Sequence, residues 1–163
     1  MSLFLEDYLP GDAVAYGSHT FTAEAIVAFA RAYDPQPFHI DAGAAEKSVF
    51  GGLCASGWHT ASVWMRLMVQ RELRLQKEMA AAGEPIGRLG PSPGFCDMRF
   101  LRPVRPGDTL VYSGTVTGIE AWRGRPKWGL MVSENEAHNQ RGERVFSFTG
   151  RVLVERRTPV GGG

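Results

Sequence analysis

The run Asp34-Pro35-Gln36-Pro37-Phe38-His39 sets a carboxylate and an imidazole five positions apart on a segment stiffened by two prolines. A proton-transfer pair has to be held within a fraction of an ångström of its working geometry, and a stiff segment favours that. Imidazole titrates near neutrality, and an adjacent carboxylate stabilises its protonated form and orients the ring. Together the two groups could polarise one water from two sides. The same residues also suit an ordinary turn, in which Asp34 caps free backbone amides and His39 packs as a loop residue. Spacing alone leaves both open.

A second feature is the small-residue approach to a helix, Gly51-Gly52 and then Ala55-Ser56-Gly57. The first amides of a helix lack intrahelical partners and carry partial positive charge, so the Gly57 N–H could stabilise negative charge developing on a carbonyl. Glycines here equally permit a tight bend between packed elements. The run lacks the Gly-Lys-Ser/Thr ending of a phosphate-cradling loop. Ser56, His59 and Ser62 form no Gly-x-Ser-x-Gly elbow. Ser56 reads as the helix cap and His59 as a buried, hydrogen-bonded histidine. His19 and His138 have no metal-ligand partner at a recognisable spacing, so no metal site is expected. Arg102 and Arg105 bracket Pro103, either at an exposed strand end or where an anion could be met.

These residues need elements to position them. Thr22 can cap a helix over which Ile26, Phe29, Ala30 and Tyr33 share one face, ended by Pro35. Asp34 to Asp41 then reads as an irregular, extended loop, with a short helix over Ala42 to Lys47. From Trp58 to Val69, eight of twelve residues are apolar and cover nearly the whole circumference of a helix. Such a helix is normally enclosed on all sides. Its continuation through Met79 turns charged and should emerge into solvent. Ala82 to Pro93 is rich in Gly and Pro and reads as a loop.

Strands are expected over Phe95–Val104, Leu110–Thr117, Trp128–Ala137 and Val145–Glu155. In the first, Cys96, Met98 and Phe100 should share one face; in the last, Phe146, Phe148, Val152 and Val154 should. A helical first half and a strand-rich second half joined by short connections indicate an α+β fold, with one antiparallel sheet curled around the central helix.

The 163 residues suit one domain, with 157 residues in the unit and 158–163 as a flexible tail ending in three glycines. Eighteen Lys and Arg against seventeen Asp and Glu leave a net charge of +1, which gives no electrostatic reason to expect a nucleic-acid or acidic-membrane partner. Cys54 and Cys96 are too few for a disulfide scaffold, and a reduced, cytoplasmic chain is expected. The N-terminus carries acid where a signal peptide needs base, and no stretch reaches the apolar length of a membrane span.

Taken together, these residues resemble the MaoC-like (R)-specific enoyl-CoA hydratase/dehydratase family of hotdog fold. That family's motif is Asp-x-Asn-Pro-x-His, then an alanine-rich short helix, a Phe, and a Gly opening the central helix. Here the positions read Asp34, Gln36, Pro37 and His39, then Ala44-Ala45, Phe50 and Gly57. The resemblance extends to Arg102-Pro-Val-Arg-Pro-Gly-Asp-Thr-Leu110 and covers residues 10 to 155. It implies that Asp34 and His39 activate a water that adds to C3 of a 2-enoyl-CoA, or run the reverse dehydration. It further implies that Gly57 holds the thioester carbonyl, with Ser56, Phe50 and Trp58 lining the substrate site. The central helix would lie beside an acyl tunnel, where Trp58 and Trp64 limit chain length or pack.

No metal or redox cofactor is implied, the CoA thioester being the substrate. A second copy is expected to cover the open sheet edge, giving a homodimer or higher homo-oligomer. Three departures stand out: Gln36 for Asn, Ser56 for the His common before the glycine, and Met65 for a serine further along the helix. A hotdog thioesterase and a non-catalytic acyl-binding subunit are the alternatives. The thioesterase would need a carboxylate on or beside the central helix, whose first half has none.

Overall fold

A computed structural model describes residues 4–122 and 124–159. After a 3-10 turn at Leu5–Asp7 come β1 (Ala13–Thr20), α1 (Ala23–Tyr33), α2 (Pro37–Ile40), α3 (Ala42–Glu46) and α4 (Gly57–Ala81). The strands β2 (Gly94–Phe100), β3 (Thr109–Ala121), β4 (Trp128–His138) and β5 (Arg144–Glu155) complete the chain. All neighbours in the sheet are antiparallel, in the order β1-β3-β4-β5-β2. The five strands and the long α4 make an α+β hotdog. At 1.5 Å per residue, α4 runs about 37 Å. Phe21, Ile26, Val63, Leu110, Tyr112 and Phe146 form the heart of the core. The Tyr112 hydroxyl donates to the Thr60 carbonyl at 3.2 Å and ties sheet to helix.

The structure corrects four expectations about the elements. The first half is not wholly helical: Ala13–Thr20 forms an edge strand whose small and polar residues, with a register shift between Ala15 and Gly17, give little alternation to read. The segment from Asp34 to Asp41 is not extended throughout, because Pro37 opens a single helical turn whose first position suits its fixed φ. In β2 the register shifts between Cys96 and Arg99, with Asp97 at φ +54°, and Cys96 is exposed. Such a bulge breaks the period-two pattern that placed Cys96 with Phe100.

The fourth correction concerns α4, which is not enclosed on all sides. Trp58, Met65, Val69 and Leu73 are 56, 49, 40 and 59% exposed. Their spacing makes them one stripe along the helix. Of the expected tail, Thr158 and Pro159 are exposed, and residues 160–163 lie outside the described residues. Among the described residues no helix is long and apolar enough to cross a membrane.

His59 is buried as expected, but its Nδ1 has no hydrogen-bond partner. Its ring stacks on Phe29 at 4.5 Å and meets Phe21 edge-on. Burial, with the charges of His19 and Arg66 behind it, pushes its pKa down to about 4. Between there and the ordinary histidine value near 6.5, the unfolded chain binds a proton that the folded chain refuses. Stability should therefore rise with pH across that window and be lost as pH falls through it. Comparing wild type with His59→Phe in denaturant titrations from pH 4 to 7 should isolate a wild-type loss of roughly 3 kcal/mol towards the acid end.

Candidate active site

Asp34 is the C-cap of α1, and its amide closes the last turn onto the Ala30 carbonyl at 2.9 Å. Both carboxylate oxygens are engaged. Oδ1 accepts from Gln36 Nε2 at 2.8 Å, and Oδ2 accepts from Ser56 Oγ at 2.6 Å. Burial works to raise the Asp34 pKa. Hydrogen bonds from Ser56 and Gln36 and the nearby His39 outweigh it, so the group stays below the ordinary carboxylate value.

His39 sits in the α2 turn with a relative exposure of 6%. Its Nδ1 lies 2.7 Å from the Cys54 carbonyl oxygen. A carbonyl only accepts, so Nδ1 carries the proton, and in the neutral ring Nε2 is left with a free lone pair. That Nε2 is 3.5 Å from Asp34 Oδ2. The buried Cys54 thiol lies 3.7 Å from Nδ1, with its pKa pushed up by burial.

Ser56 is fully buried as the N-cap of α4, and its Oγ also accepts from the Trp58 amide at 3.2 Å. Gly57 follows as the first helical residue, whose amide has no partner within the helix by position. Its Cα faces Phe100: a Cβ at this position would lie 2.7 Å from that ring. Gly57, His39, Phe50, Thr60 and Phe100 line one cleft of about 320 Å³. The cleft is lined by an imidazole and a helix N-terminus, with the Asp34 carboxylate 3.5 Å from His39 Nε2, a set that can move a proton beside a polarised carbonyl.

Of the residues singled out from the sequence, His39, Gly57 and Phe50 line the cleft, and Asp34 and Ser56 adjoin it, bonded to each other with Asp34 3.5 Å from His39. Trp58 does not: it is exposed on the outer stripe of α4 and is absent from the lining of the cleft. His19 stands apart, against Arg66 and Phe21.

A family model for the MaoC-like domain matches residues 9–138. The chain belongs to the MaoC-like dehydratase family. The crystal structure of a MaoC-like dehydratase from Rhodospirillum rubrum is 38% identical, with a TM-score of 0.80 over 96% of this chain and 99% of that one. Mesaconyl-CoA hydratase from Cereibacter sphaeroides is 36% identical over 64 residues, 39% of this chain and 18% of that protein. The (R)-hydratase from A. caviae involved in PHA biosynthesis shares the fold, at 20% identity and a TM-score of 0.62 over 93% of this chain and 98% of that one.

Within this MaoC-like domain, Arg105 has a part its sequence context did not assign. Its guanidinium turns inward and donates to three backbone carbonyls, those of Phe50, Gly52 (2.6 Å) and Leu53 (3.3 Å). It thus braces the loop that supplies the Cys54 carbonyl to His39. Arg102 instead lines the cleft and faces Glu143 at 3.7 Å. Nothing in the Pro103–Asp108 turn distinguishes an inward arginine from an outward one before the fold is known.

Arg105→Met should lower stability by about 2–3 kcal/mol in chemical denaturation. Arg105→Lys should restore only part, since a point ammonium cannot fork across three carbonyls.

Proposed function

We propose that this protein hydrates a 2-enoyl-CoA thioester and, in reverse, dehydrates the 3-hydroxyacyl-CoA. The observation that carries the reading is the free lone pair of His39 Nε2 facing the Asp34 carboxylate at 3.5 Å, in a cleft that Gly57 also lines. The water oxygen bonds to C3 while a proton leaves for the Asp34–His39 pair. The C2=C3 π electrons move towards the thioester carbonyl, whose developing charge meets the Gly57 amide at the positive end of α4. Return of the proton to C2 completes the addition of water. Only water and a proton are exchanged, so the reaction needs no metal or redox partner.

A second cavity of about 150 Å³ lies between α4 and the sheet, walled by Trp64, Met68, Phe95 and Phe148. An apolar cavity of that order holds a molecule the size of benzene. It shares no lining residue with the cleft at His39 and Gly57, and Trp64 rather than Trp58 faces it. For the thioesterase alternative, the carboxylate beside the start of α4 is Asp34, which is already held by Ser56 and Gln36 and lies 3.5 Å from His39 Nε2. The buried carboxylate on α4 is Glu72, fifteen residues beyond Gly57 and about 22 Å along the axis.

Purified protein with crotonyl-CoA should lose the enoyl thioester absorbance without releasing free thiol. Asp34→Asn and His39→Ala should each lower kcat by about a hundredfold or more. Near-normal turnover in both, or thiol release in step with the absorbance, would sink the reading.

We further propose that the working unit is a homodimer, in which a second copy covers the α4 stripe and the open edge of β2. Sedimentation should then give twice the 17.9 kDa chain mass. Val69→Glu combined with Leu73→Glu should shift the protein towards monomer.

A further inference from the structure

Two departures from the family motif, Gln36 and Ser56, meet at one group. Each donates to a different oxygen of the Asp34 carboxylate, at 2.8 and 2.6 Å. Gln36 reaches it from two residues along the same turn, and Ser56 from the buried cap of α4. The carboxylate is therefore fixed in rotation about its Cβ–Cγ bond and loses basicity, because hydrogen bonds to the charged form favour that form. His39 is held the opposite way. Its Nδ1 proton is committed to the Cys54 carbonyl, and among the described residues Nε2 has no hydrogen-bond donor against it.

We infer that Gln36 and Ser56 are positioning residues that clamp Asp34 as a permanent anion, so that His39 Nε2 alone carries the proton between water and C2. This rests on the hydration reading. In the balanced step, one water O–H bond breaks and its proton goes to Nε2, while the water oxygen bonds C3 and the π pair passes towards the thioester carbonyl. The same proton then leaves Nε2 for C2, and His39 returns to its neutral form. Asp34 stabilises the transient imidazolium from 3.5 Å and is never protonated.

The test uses the full-length protein, with crotonyl-CoA as substrate and NMR titration of the Asp34 side-chain carbon and the His39 ring nitrogens. In wild type, the acid limb of kcat/KM should follow the His39 titration and not that of Asp34. Ser56→Ala should move the Asp34 titration upward and cut kcat about tenfold with KM little changed. Ser56→Thr, which keeps the hydroxyl, should recover much of both.

Ser56→Ala also loses a helix cap. Gln36 is exposed, so Gln36→Leu offers a variant that leaves the core intact; it should move the Asp34 titration the same way by less, with Gln36→Asn restoring it. An unmoved Asp34 titration in both Ser56→Ala and Gln36→Leu overturns the clamp. An acid limb that follows Asp34 overturns the assignment of the proton to His39. If no enoyl thioester is hydrated, the hydration reading fails and the role of His39 with it, whereas the titrations still decide the clamp.

Discussion

The hydrogen bond from Ser56 Oγ to Asp34 Oδ2, at 2.6 Å, joins the end of one helix to the start of another. Asp34 closes α1, and Ser56 opens α4. The carboxylate therefore lies beside the positive end of a 25-residue helix, where an anion is favoured, and the helix gains an acceptor for its capping hydroxyl. Much of the local chain follows from that junction. The α2 turn has to return His39 to within reach of the same carboxylate, and two prolines limit the ways it can do so. The Phe50–Leu53 loop has to bring the Cys54 carbonyl under the ring, and Arg105 fixes it there.

The sheet makes this junction possible by holding α4 in place. Tyr112 bonds the helix backbone from β3, while Phe100 fills the space left by the missing side chain of Gly57. Phe100 stacks on Phe146 at 5.7 Å, and Phe146 lies against Phe148 at 5.5 Å, so the start of α4 rests on a run of aromatic rings across β2 and β5. A glycine at the first position of α4 thus serves two needs. It admits Phe100, and it leaves the amide open to the cleft. Replacing it would move the ring before it touched any substrate.

Features that depend on local pairing were legible in the sequence, and those set by three-dimensional context were not. The carboxylate–imidazole spacing, the cap at Ser56 and the glycine after it are local, and the resemblance raised them above an ordinary turn. The long helix and the strands of the second half announced themselves by periodicity. β1 did not, because its apolar alternation is limited to Val14 and Tyr16 before the register shifts between Ala15 and Gly17, too short a pattern to read. The Asp97 bulge shifts register by a backbone choice that the alternation of Cys96, Met98 and Phe100 contradicts. The inward turn of Arg105 depends on where three carbonyls lie, some fifty residues earlier in the chain. The open stripe on α4 was missed for a related reason: all-round apolarity predicts cover on every side, whereas the fold of this chain leaves Trp58, Met65, Val69 and Leu73 exposed.

The serine before Gly57 also bears on how many groups at the site can exchange protons near neutrality. An imidazole at that position would add a second base against Asp34, and the two rings would then titrate together through the shared carboxylate. A hydroxyl donates one hydrogen bond and does not ionise in this range. The Cys54 thiol, also close to His39, is pushed up by burial and stays protonated. Asp34 is held low by its two donors. His39 is then the single imidazole against the Asp34 carboxylate, so the proposed transfer from water to carbon has one ring nitrogen to run through.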